Sequence, residues 1–285
     1  MALALYFCII FSNVTQSAST KIFNQKNYAP AYFNVIKAAS AFLLELAFSL
    51  YGFTFHLPTV FFGLAYGAAL SVSMYAGYEA LCRGPMALTS MLVSFSVILP
   101  FIWGVAVRNE ALNQFKLFAV VLLISAIICT NADKFKGGIK KPRDFVSWLT
   151  FVGITFLGNG FYSILQKEHQ ILYPSMYSRE FMVYALFLCT VVYTLILVFN
   201  KEKIPMREVK GKNFALLAGV TTALSGSLTL ILAALENASI LFSIISAGGI
   251  LASLTCGKFI FKEKLKINHY IALVLGISSI ILMKL

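Results

Sequence analysis

Apolar blocks separated by short polar turns run the length of the chain, and each block is close to the ~20 residues a helix needs to cross a bilayer. The pattern predicts ten helices, over about 2–21, 31–51, 59–81, 84–107, 113–130, 148–170, 176–199, 214–235, 238–261 and 267–285. The breaks between them carry turn chemistry: Pro30, His56 with Pro58, Gly84-Pro85, Arg108-Asn109-Glu110, Pro174 and Glu236-Asn237. Pro85 suits a helix's first turn, whereas Pro100 lies inside the fourth block, where it is expected to kink the helix. Residues 131–147 form the longest polar linker, with Gly137-Gly138, Pro142 and five basic residues. The first block carries Ser17-Ala18-Ser19, similar to a leader-peptide cleavage site. It lacks a basic lead-in and is interrupted by Asn13, Thr15 and Gln16, so it reads as a retained helix.

The blocks repeat. Residues 80–128 laid over 233–281 without gaps place Ala80 on Ala233, Leu88 on Leu241, Ser90 on Ser243 and Gly104 on Gly257. Further on, Glu110 meets Glu263, Leu112 meets Leu265, Ala119 meets Ala272 and Ser125 meets Ser278. Each copy is an apolar run, a Glu-x-Leu turn and a second apolar run. The first and sixth helices also align: Asn13 on Asn159, Gln16 on Tyr162, Ser17 on Ser163 and Lys21 on Lys167. The chain therefore divides into a first five-helix repeat at 1–130, a basic linker at 131–147 and a second repeat at 148–285. Five is odd, so the second repeat enters the membrane from the opposite side. The expected fold is all-α integral membrane: ten transmembrane helices as two inverted five-helix repeats, with the site between them and the fifth and tenth helices as outer supports.

These quoted residues resemble the drug/metabolite transporter superfamily, in its ten-helix EamA-like branch. The resemblance rests on Ala80-Leu81, Gly84-Pro85-Met86-Ala87, Pro100 and Glu110-Ala-Leu112, and on Ala233-Ala-Leu235, Gly257 and Glu263-Lys-Leu265. It departs at Ser253, which stands where the first copy has Pro100. It covers nearly all of the chain and implies a secondary transporter, not driven directly by ATP, working by alternating access. The small four-helix relatives use a first-helix carboxylate for proton exchange; here the first and sixth helices carry asparagine instead.

Composition narrows the classes. The 285 residues are 59% hydrophobic and 12% charged, against roughly 25% charged in average proteins. A net charge of +12 suggests nucleic acid only until the basic residues are placed: they sit in short loops and read as facing cytoplasmic headgroups. The loops after helices 1, 3, 5, 7 and 9 hold 17 Lys and Arg, and the other side holds 5. The bias predicts a multi-pass cell-membrane protein with basic loops in the cytoplasm and both termini outside, whereas the family resemblance implies cytoplasmic termini. Cys8, Cys82, Cys129, Cys189 and Cys256 are dispersed, with no CxxC pair, and read as isolated thiols. His56, His169 and His269 lie far apart in sequence, with no HExxH, Walker or GxSxG pattern. No enzyme, metal or cofactor is expected. The expected partners are a small-molecule substrate and the bilayer, with no nucleic acid, and the chain is expected as a monomer or homodimer.

The candidate site follows from polar residues inside spans. Asn13 and Asn159 lie near helix midpoints, where an unpaired amide in hydrocarbon costs several kcal/mol (about 2–7 by reference state). They should face the bundle interior, with Gln16 and Tyr162 three residues on and on the same face. Ser90, Ser94, Ser243 and Ser246 are expected to line the substrate site, with Tyr75 as an aromatic wall. An uncharged site of this kind suits a neutral or zwitterionic solute. Two alternatives stand beside it: each amide only ties its helix to a neighbour, and the Tyr75–Tyr78 region is an interfacial belt. Lys37, Glu45 and Glu79 are charges within or near the ends of spans. They either couple transport or, like a snorkelling lysine, reach the membrane edge. Arg179-Glu180, at the start of the seventh helix, reads as a solvated pair. A proton-coupled multidrug or cation exporter and a receptor or scaffold without transport are the competing functions.

Overall fold

Backbone groups in hydrocarbon must bond within their own segment, which makes the helix the natural state of each apolar block. The computed structural model describes residues 2–25, 30–50, 52–83, 93, 95–110, 113–131, 142–199, 211–259 and 267–283, and these are 92% helical with no strands. Ten α-helices are present among them: α1 Ala2–Gln25, α2 Pro30–Ser49, α3 Leu57–Arg83, α4 Ile98–Ala106 and α5 Gln114–Asn131 in the first half of the chain. In the second half follow α6 Pro142–Leu172, α7 Ser178–Phe199, α8 Lys212–Leu235, α9 Ala238–Phe259 and α10 Ile267–Met283. Six of them, α1 to α3 and α6 to α8, contain spans long and apolar enough to cross a membrane, and shorter apolar helices lie at 95–106, 114–126 and 238–252.

Helix α1 runs on to Gln25, and two further differences from the sequence pattern involve proline. Helix α6 begins at Pro142, inside the polar stretch. Proline at a first helical position loses no hydrogen bond, so the helix extends beyond the apolar residues that first announced it. Around Pro100, a 3-10 turn at Phe95–Val97 precedes α4, whose third residue is the proline. Pro100 has no N–H to give, and the expected disturbance appears as a change of helix type just ahead of it.

Two compact units divide the helices. The first comprises residues 1–71 and 165–235, the second 72–164 and 236–285, so α3 and α6 each contribute to both. In the first unit α1 packs on α8, and α2 packs on α7 and α8. Small residues permit this closeness. A Cβ on Gly67 would meet the Ala185 backbone of α7, and one on Gly219 would meet Ser40 and the Lys37 carbonyl of α2. Phe23 and Phe33, with ring centroids 4.6 Å apart, close one end against Ala215 and Ala218. In the second unit α5 packs along α10, and α9 packs on α10, α4 and α5. Ser279 donates to the Ala119 carbonyl at 2.8 Å across the α5–α10 seam.

The distribution of side chains is that of a molecule in lipid. Leu3, Phe7 and Phe11 form an i, i+4 stripe on α1 and are 84%, 71% and 65% exposed. The buried set includes Asn34, Lys37, Glu45, Gln166, Lys167, His169 and Gln170. Water-soluble chains bury the first kind of residue and expose the second.

Candidate functional site: polar contacts within the spans

Most hydroxyls in these helices satisfy themselves. Thr15, Ser17, Thr20, Ser71, Thr155, Ser163, Thr190 and Thr229 each donate to the carbonyl four residues earlier, at 2.7–2.9 Å. Such bonds let a polar residue sit in an apolar helix at little cost. The informative contacts are therefore those that cross from one helix to another.

In the first unit, Ser225 of α8 donates to Asn13 Oδ1 at 2.6 Å, and Gln16 Nε2 donates to Thr222 Oγ1 at 2.9 Å. Asn13 and Gln16 thus share a face of α1 and meet residues three apart on α8. Two residues beyond Ser225, Ser227 donates to Glu45 of α2. Gln166 Nε2 donates to the Gly226 carbonyl at 3.0 Å. The Ser225-Gly226-Ser227 segment is thus bonded from α1, α2 and α6. In the second unit, Ser73 of α3 donates to Asn159 Oδ1 of α6 and to the Thr155 carbonyl. The methyl group of Thr155 lies 3.3 Å from where a Cβ on Gly77 would sit.

The other predicted residues are placed less centrally. Tyr162 is half-buried on α6 and Ser246 half-buried on α9. Ser243 is fully enclosed, and its hydroxyl has no hydrogen-bond partner among the described residues. Tyr75 is 42% exposed, as an aromatic facing the surroundings would be. Glu79 pairs with Arg83 one turn on, and Arg83 stacks over Phe151 with its guanidinium 4.4 Å from the ring centroid. Ser90 and Ser94 lie outside the described residues, as does Glu263.

Two readings change. Glu180 is buried, not solvated: it accepts hydrogen bonds at 3.0 Å from both the backbone N–H and the hydroxyl of Thr54. Its position in the first turn of α7 turns its carboxylate onto the α2–α3 loop, and the helix dipole favours a negative charge there. Only Arg179 stays exposed, donating to the Phe48 carbonyl at 3.3 Å. His56 and His169, 113 positions apart in the chain, are bridged by Thr59 Oγ1 at 2.9 and 3.0 Å. Gln170 Nε2 adds contacts to His169 Nδ1 and Ser178 Oγ, both at 3.0 Å. Nothing in the spacing of these residues foretold the cluster. No group of His, Cys, Asp or Glu suited to a metal occurs among the described residues.

The Glu-x-Leu turn turns out to be a brace. Asn109 takes a left-handed φ of 52°, and the Glu110 N–H reaches back to the Gly104 carbonyl at 3.0 Å, closing the end of α4. The Glu110 carboxylate accepts from Ala238 N at 2.7 Å, Ser239 N at 3.1 Å and Ser239 Oγ at 2.6 Å, capping the start of α9. A Cβ on Gly104 would lie 2.8 Å from that carboxylate. In the first copy Gly104 and Glu110 serve one contact.

No protein-family description and no curated protein matches the chain. A solved structure described only as a crystal structure of a protein is similar to it, with a TM-score of 0.80 and 13% identity over 99% of this chain and 95% of that one. At that identity the likeness speaks for the fold alone. The molecule has the architecture of a multi-pass helical membrane protein.

Proposed function

We propose that the chain is a secondary transporter of the EamA-like, drug/metabolite type, carrying a small polar or amphipathic metabolite by alternating access between two inverted five-helix repeats at 1–130 and 148–285. The observation that carries this reading is a pair of matching contacts. Asn13, on the first helix of one repeat, accepts from Ser225 on the third helix of the other. Asn159, on the first helix of the second repeat, accepts from Ser73 on the third helix of the first. The serines back-bonded to these asparagines, Ser17 and Ser163, correspond as well. Exchange of third helices is what two inverted repeats interleaved around a shared axis produce. A scaffold has no need of amides at the middle of two such helices.

In this reading Asn13 and Gln16 in the first unit, and Asn159, Tyr162, Ser243 and Ser246 in the second, are the residues that meet the solute, and the basic loops lie in the cytoplasm of a cell-membrane protein. Uptake of a labelled metabolite panel into proteoliposomes tests it. Asn13→Ala and Asn159→Ala should each reduce transport at least tenfold with normal membrane insertion; parent-like rates in both variants would move the site elsewhere. A second reading, proton-coupled cation export, draws on Glu45, a carboxylate buried within a span and held by Ser227. Transport that follows an imposed pH gradient in the parent and not in Glu45→Gln favours it.

A further inference from the structure

The first unit buries two lysines within its spans, and they are treated differently. Lys167 donates to the Ala233 carbonyl at 2.6 Å, in the last turn of α8, where the helix dipole favours a cation. Lys37 is 6% exposed. It sits about 10 Å along α2 from Pro30, on the face that also buries Asn34, Ala41 and Glu45. No hydrogen bond or ion pair engages its ammonium among the described residues. The Cys189 thiol of α7 is bonded to Ser71 and Gly67. Glu45 stands two turns further along the same face, about 12 Å by helical rise, and is engaged by Ser227. Glu180 is spent on Thr54.

Snorkelling accounts poorly for this lysine, because a snorkelling head ends in water or headgroups, and the residue as a whole is only 6% exposed. Packing does no better: Gly219 lets α8 close directly on the Lys37 carbonyl, an approach that any aliphatic residue at position 37 would serve equally. A lone ammonium in such surroundings, with no carbonyl among the described residues to take it as Ala233 takes Lys167, is held at a cost that an opposite charge offsets.

We propose that Lys37 is the anion-recognition group of the transport site, and that the solute carries one negative charge, with carboxylate as its class. This rests on the transporter reading above and replaces the expectation of a neutral or zwitterionic solute with a net anionic one. One uncompensated cation is balanced by a monoanion, whereas a dianion leaves a surplus charge in the same enclosure. Asn34, one turn earlier on the same buried face, adds an amide whose N–H groups suit the second carboxylate oxygen. The closed packing of α2 on α7 and α8 is favoured when the anion is present and disfavoured when it is not, which makes loaded closure easier than empty closure.

The test uses the full-length purified protein, with benzoate against benzamide, lactate against lactamide and succinate as the dianion. Thermal unfolding in detergent reads binding, and uptake into phosphatidylcholine liposomes reads transport. The monocarboxylates should raise the parent's Tm at least tenfold more effectively, by concentration, than their amides or succinate. Lys37→Met should abolish that effect, Lys37→Arg should retain part of it, and unliganded Lys37→Met should unfold at a higher temperature than the parent, because a lone buried charge has gone. Equal effects of acids and amides, an undiminished response in Lys37→Met, or a lower Tm for that variant without ligand overturns the proposal. So does stabilisation by added phosphatidylglycerol with none by free carboxylates, which would make the anion a lipid headgroup. Monocarboxylate binding that needs Lys37, without uptake of any solute, supports the site and sinks the transporter reading. Uptake of solutes with no preference for the acids does the reverse.

Discussion

Single side chains here act mostly by where their one polar atom is spent. Glu110 spends its carboxylate on three donors at the start of α9. Hydrogen bonds to a charged group contribute about 1.5–3 kcal/mol each when isolated, and loss of a helix cap costs about 0.5–2 kcal/mol. Glu110→Ala is therefore expected to destabilise the second unit by about 2 kcal/mol, and Glu110→Gln by less, since an amide oxygen in the place of Oε2 still accepts both bonds from Ser239. Thermal unfolding in detergent checks the order; equal Tm values for parent and Glu110→Ala would show that the cap carries no energy. Thr59 also serves two partners, and with one oxygen, between His56 and His169. Thr59→Val keeps its shape and strips both contacts, leaving a buried His169 nitrogen unpaired at a cost of about 1–3 kcal/mol. A variant as stable as the parent would argue that the imidazoles find other partners.

Between elements, small residues set the distance and amides set the register. Gly67 places the α3 backbone directly on that of α7 at Ala185. Even one methyl group there has nowhere to go, so Gly67→Ala should cost about 1–3 kcal/mol as an overpacking change. Gly153, with nothing within 4 Å of an added Cβ, supplies the control: Gly153→Ala should be neutral or slightly stabilising, because it removes backbone freedom from the unfolded chain. The α1–α8 seam carries two polar contacts three residues apart on both helices, Asn13–Ser225 and Gln16–Thr222. A double-mutant cycle with Gln16→Leu and Thr222→Val should return a coupling of about 0.6 kcal/mol, and no more than about 1.7, the range such bonds reach in membranes. A coupling of zero would mean that the pair meets without holding the seam.

At the scale of the whole molecule, the arrangement that matters is which parts of the chain are built together. Each compact unit draws residues from both halves of the sequence, and α3 and α6 belong partly to each. Neither half, expressed alone, should therefore yield the near-parent unfolding transition of an independent domain, whereas the two co-expressed should recover it; a stable, monodisperse 1–130 fragment would count against this. The orientation proposal is tested with reporters. A periplasmic-type phosphatase fused after Leu285 should be active, and cysteines placed at the Glu110 and Glu263 turns should label from opposite sides of the membrane. Labelling from one side would remove the inverted repeat.

Secondary structure was legible along most of the chain because length and apolarity suffice to make a helix in lipid. The ten expected helices correspond to the ten described, with shifts at Pro142 and Pro100, where proline's missing N–H outweighs the apolar pattern. The repeated Gly104 and Glu110 were visible as a motif, and Asn13 and Asn159 as amides too costly to leave in hydrocarbon. Their partners were not. Ser73, Thr222 and Ser225 are hydroxyls like the many that only bond their own helix, and only the packing of one helix on another selects them. The same holds for the enclosure of Lys37, the burial of Glu180 and the meeting of His56 with His169. A sequence by itself states what a side chain can bond and what it costs unbonded; which helix face lies within 3 Å of it is decided by the close approach of backbones such as that at Gly67, a property of the folded bundle.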